Sequence, residues 1–124
     1  MLNSIISQFS IPGAFHKVER FGTGLINDTY LCEFNDSGTA RKYILQRINA
    51  SVFAHPEQVM DNVETVTLHI AKKLRAEGIA DPSLVTPALV HANNRKPYLR
   101  DDSGAYWRMF HFIESASSPR LFAG

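Results

Sequence analysis

Gly22-Thr23-Gly24-Leu25-Ile26-Asn27 is the stretch of this sequence best suited to chemistry. Two glycines one residue apart let backbone approach a ligand closely, and exposed N–H groups in such a bend can hold phosphate oxygens. A glycine-rich hairpin with no ligand is the plainer reading of the same residues. Other reactive types are scattered. His16, His55, His69, His91 and His111 show no mutual spacing typical of a metal site, and HExxH is absent, so each reads as a surface or core histidine. No GxSxG, no Walker-type phosphate loop and no Ser/His/Asp set is evident. Cys32, inside a strand-like segment, reads as a buried apolar residue rather than a nucleophile.

The chain that must position these residues is short. Its 124 residues, 44% of them apolar and 10% aromatic, suffice for one modest core and exclude a large two-domain enzyme. Lys and Arg number 13 against 12 Asp and Glu, a net charge of +1 spread along the chain. That leaves no electrostatic footprint for nucleic acid or an acidic membrane surface. A single cysteine cannot staple the fold, which fits a reducing, cytoplasmic setting. Residues 1–15 lack a basic n-region and do not read as a signal peptide. Leu2, Ile5, Ile6 and Phe9 instead form one stripe of a short docking helix, stopped before Pro12-Gly13. No stretch approaches the roughly 18 consecutive apolar residues a membrane span needs.

Beyond that helix the pattern turns to period two. Val18–Phe21, Thr29–Phe34 and Arg41–Ile48 read as three strands of an antiparallel meander, with Asn35-Asp36-Ser37-Gly38 as a tight turn. Pro56–Glu77 is the clearest helix: Val59, Met60, Val63, Val66, Thr67, Ile70, Ala71 and Leu74 recur at helical spacing. Pro56 suits the first helical position, acidic residues precede basic ones along it, and Gly78 can take the left-handed cap. Pro87–His91, Lys96–Arg100 and Ala105–Ile113 are the remaining candidate strands. The expectation is an α+β layer, one long helix on a five- or six-stranded antiparallel sheet. Alternation along the third strand puts Ile44, Gln46 and Ile48 on one face and Tyr43, Leu45 and Arg47 on the other.

This order of elements, a glycine-rich hairpin, a third strand, one long helix, further strands and then the polar Ser115–Pro119, matches the small lobe of kinase-like phosphotransferases. Gly22-x-Gly24-x-Ile26-Asn27-Asp28-Thr29-Tyr30, Tyr43–Asn49, Val52-Phe53, Pro56-x-x-Val59-Met60-x-Asn62 and Trp107-Arg108-x-Phe110-x-Phe112-Ile113 together resemble the aminoglycoside phosphotransferase-like family. The N-acetylhexosamine 1-kinase branch is the nearest. The resemblance covers roughly residues 15–118 and implies a nucleotide-binding small lobe over 16–118, with 119–124 opening a large lobe that is missing.

What the resemblance implies follows residue by residue. Gly22, Thr23, Gly24, Leu25, Asn27 and Thr29 would form the loop over the phosphates of ATP. Asn27 stands where protein kinases have a third glycine. Beside Ile44, either Gln46, by register, or Arg47, by charge, would face the phosphates, where the family usually has Lys or Arg. Glu64 would be the helix carboxylate that pairs with the third-strand group, or else an exposed helix residue. Phe112 and Ile113 would be the hinge at the adenine edge, although Phe110 and Phe112 read equally as sheet core. Magnesium ligands and the catalytic Asp would lie in the large lobe, so on this resemblance the chain would hold no catalytic residue and would be a fragment inactive alone. The implied reaction passes the γ-phosphate of ATP to a sugar hydroxyl, N-acetylhexosamine first, with choline-like alcohols or homoserine open. Exposed hinge-side surface would favour self-association. A free-standing, non-catalytic α+β binding module is the other reading.

Overall fold

A computed structural model describes residues 2–21, 28–48, 55–80 and 88–112. The elements run α1 (Leu2–Ile6), β1 (Ala14–Arg20), β2 (Asp28–Asp36), β3 (Thr39–Ile48), α2 (Pro56–Ala76), β4 (Leu89–Val90), β5 (Leu99–Arg100) and β6 (Tyr106–His111). All strands pair antiparallel in one six-stranded sheet of order β1-β2-β3-β6-β4, with β5 also on β6. The fold is α+β, a sheet with one long helix. No helix among the described residues is long and apolar enough to cross a membrane.

The strands are longer than alternation alone marks. β1 starts four residues before Val18, because its pairing with β2 holds residues whose side chains are mostly exposed and so carry no hydrophobic period. The β2–β3 hairpin closes on Ser37 and Gly38, with φ of 53° and 85°, the pair of positive angles that a type I′ turn requires. β5 keeps only Leu99–Arg100 of the expected Lys96–Arg100 strand, since Asn93–Tyr98 turn and bend.

The two faces of the sheet differ. Cys32, Phe34, Tyr43, Leu45, Trp107 and Met109 point to one side and pack with Val90, Ala92 and Leu99. Ile5, Ile6 and Phe9 pack among them, with the helix ending at Ile6 and Phe9 in a bridge to Ala92. Full burial of one such side chain stabilises by about 1.5–3 kcal/mol, which makes this face the main core.

α2 lies on the other face. It starts at Pro56 and ends as expected, with Gly78 at φ 96°. The Ile79 and Gly78 N–H groups close back on the Leu74 and Arg75 carbonyls, a Schellman cap. Its packing departs from the stripe. Met60 is fully buried and Val63 partly so, but Val66 is 56% and Ile70 38% exposed. Further along the stripe Thr67, Ala71 and Leu74 are only half-buried, so α2 packs most firmly at Met60, and helical spacing says nothing of how far the partner surface extends.

Candidate functional site

The α2-covered face carries an apolar patch and, beside it, a polar row. Ile44 and Phe110 are buried neighbours in the β3–β6 ladder, and Phe21, Leu31, Val63, Leu89 and Phe112 pack against them. The Phe21 and Phe112 rings meet edge to face, centroids 5.8 Å apart at 87°. One strand repeat further along β3, about 7 Å, alternation returns Gln46 to the same face.

Gln46 is 1% exposed and lies between Thr29 on β2 and Arg108 on β6, its direct partners in register. Arg108 Nε donates to Gln46 Oε1 at 2.8 Å, and Gln46 Nε2 donates to Thr29 Oγ1 at 3.3 Å. Because a guanidinium can only donate, it fixes the orientation of the Gln46 amide. The Arg108 guanidinium also meets Met60 Sδ, 3.9 Å from its NH1, and lies 5.3 Å from the Phe110 ring centroid. Burial lowers the Arg108 pKa to about 10, so the group stays charged at neutral pH. No carboxylate among the described residues pairs with it.

Gln46 and Arg47 lie on opposite faces, as alternation requires. Arg47 is exposed on the opposite side, 4.0 Å from Asp28, which Arg20 also holds at 3.1 Å. Gln46 faces α2. Glu64 does not reach the row: its Oε2 lies 2.5 Å from His91 Nε2. His91 follows β4, and β6 stands between β4 and β3, so a Glu64 pair with the third-strand position is replaced by a tie between α2 and the sheet edge. A second tie, Tyr106 Oη to Glu57 Oε1 at 2.5 Å, holds the first turn of α2.

Thr29, Ile44, Gln46 and Phe112 thus come together on one face, while Arg47 and Glu64 lie away from the row. Gly22, Thr23, Gly24, Leu25, Asn27 and Ile113 lie outside the described residues. Arg108 joins this row although the sequence reading does not single it out as a site residue. Its signal was parity: Arg108 shares its face with Phe110 and Phe112, opposite Trp107 and Met109, in a central strand. Among the described residues no cluster of His, Cys, Asp and Glu is placed to hold a metal ion. No family model matches this chain.

Proposed function

We propose that this chain is the nucleotide-binding small lobe of an ATP-dependent small-molecule kinase of the aminoglycoside phosphotransferase-like kind. The observation that carries the reading is the pairing, on one sheet face, of an aromatic and aliphatic patch with a buried polar row one strand repeat away. Phe21 and Phe112, partly buried over Ile44, offer a purine an apolar seat, and Arg108, oriented by the buried Gln46 and Thr29, offers donors and charge to the phosphates on its ribose. The order of elements in the α+β fold supports the same reading.

In the proposed reaction the acceptor hydroxyl attacks the γ-phosphorus of magnesium-bound ATP, the bond to the bridging oxygen of ADP breaks, and the hydroxyl proton passes to a base. No described carboxylate is bonded to the polar row, so the base, the magnesium ligands and the acceptor contacts are assigned to the large lobe that the resemblance implies. A sugar hydroxyl, on an N-acetylhexosamine first, is the proposed acceptor. A cytoplasmic setting is part of the same reading, drawn from a chain whose single cysteine, Cys32, forms no staple.

Calorimetric titration of the 124-residue chain with magnesium ATP and with adenosine tests the reading. Saturable binding of both is expected, with a small rise in melting temperature because only part of the phosphate coordination is present. Binding of neither refutes it.

A further inference from the structure

We infer that Arg108, from the strand beside β3, is the cation that grips the nucleotide's phosphates, a task that the uncharged Gln46 leaves open. The inference rests on the nucleotide reading and goes beyond it by naming the group and the part of the ligand it holds.

A guanidinium drawn out of water loses hydration that must be replaced by charge or hydrogen bonds. Around Arg108 the replacement is thin: one neutral amide oxygen, one thioether and one aromatic face. On the same sheet Arg20 and Arg47 have Asp28 and Arg41 has Asp36, while Arg100, also without a carboxylate among the described residues, is exposed to water. Arg108 has none among the described residues, and an anion is the partner its surroundings lack.

The geometry says how that anion is met. Nε is committed to Gln46, and the two terminal nitrogens have no oxygen acceptor among the described residues. Those nitrogens form the end of a planar fork that matches two phosphate oxygens at once. Thr29 holds Gln46 and Gln46 holds Arg108 through Nε, so the row sets the direction of the fork without using it. Gln46 is therefore a positioning residue. A cationic third-strand side chain would repel Arg108 at this register, and a carboxylate would neutralise it, so an amide orients the guanidinium and leaves its charge free. Arg108 remains partly exposed, and the apolar patch for the base lies on the same face.

Adenosine and magnesium ATP titrated into the full chain separate the two claims, with Arg108→Met, Arg108→Lys and the distant Arg41→Met compared by circular dichroism for fold. Wild type is expected to bind ATP more tightly than adenosine. Arg108→Met should weaken ATP by roughly tenfold or more while adenosine stays within about twofold. Arg108→Lys, which keeps the charge but not the fork, should fall between, and Arg41→Met should match wild type. An ATP-to-adenosine ratio unchanged in Arg108→Met overturns the inference and leaves the nucleotide reading standing. If Arg108→Met does not fold, an unchanged ratio in Arg108→Lys overturns it equally. Binding of neither ligand by wild type refutes the nucleotide reading itself, and the Arg108 assignment with it.

Discussion

Asp101→Ala should destabilise the fold by about 2–4 kcal/mol, far more than its place in a surface turn would lead one to expect. Asp101 Oδ1 accepts from the Ser103 N–H at 2.8 Å, the Ser103 hydroxyl at 2.6 Å and the Ala105 N–H at 3.0 Å. Oδ2 accepts the indole N–H of Trp107 at 2.8 Å, and Trp107 is 2% exposed in the main core. Alanine leaves that indole donor buried without a partner, which costs about 1–3 kcal/mol, and water replaces the turn bonds only in part. Trp107 is the sole tryptophan, so its fluorescence follows urea unfolding directly. In a Trp107→Phe background, followed by circular dichroism, the cost of Asp101→Ala should fall by about 1–2 kcal/mol, since the stranded donor is gone. The pH dependence has a definite sign. Burial alone would raise the Asp101 carboxyl, but hydrogen bonds from the side chains of Ser103 and Trp107 and from the Ala105 and Ser103 N–H groups outweigh it and hold the pKa at about 2. A pKa below the unfolded value of about 3.9 gives stability present above that pH and lost as pH falls through about 2. The wild-type advantage over Asp101→Ala should therefore shrink between pH 4 and pH 2. A cost below about 0.5 kcal/mol, or one unchanged by Trp107→Phe, refutes the reasoning.

Gln46→Glu supplies Arg108 with a carboxylate in place of an amide. Thermal unfolding at neutral pH should show a gain of about 1–2 kcal/mol from the charge-assisted bond, with weaker ATP binding because the guanidinium is neutralised; a loss of stability contradicts the account of the row. Met60→Ala should cost about 2–4 kcal/mol in chemical denaturation, because Met60 is the fully buried anchor of α2, whereas Val66→Ser should stay within about 0.5 kcal/mol. Equal costs for the two would mean that the second half of α2 is packed as firmly as the first.

Local pattern carried the elements whose burial alternates or whose ends are chemically marked. Thr29–Phe34 and Arg41–Ile48 alternate, Ser37-Gly38 announces the turn between them, and Pro56 and Gly78 bracket α2. β1 was legible only in part because edge strands with exposed side chains are set by backbone pairing rather than by hydrophobic period. For the site, parity placed Gln46 and Arg47 on opposite faces, but which face α2 covers is decided by tertiary packing. The helical pitch put Glu64 beside the apolar stripe, yet only the strand order shows that β4, not β3, meets it there. Arg108 needed both pieces of information at once, its parity and the identity of the covered face.

The division of labour between the faces explains why a charged row is tolerated at the sheet centre. The face under α1 is closed and apolar, and it supplies most of the burial. The face under α2 is held at its edges by Tyr106–Glu57 and Glu64–His91 and at its middle by Met60. A polar row there costs the fold less than the same row among Leu45, Trp107 and Met109 would, since water or a ligand can still reach part of it. Substitutions at Gln46 and Arg108 should then change binding without unfolding the chain, while those at Trp107 should do the reverse. If both sets unfold it alike, the two faces form one cooperative core and the polar row is structural.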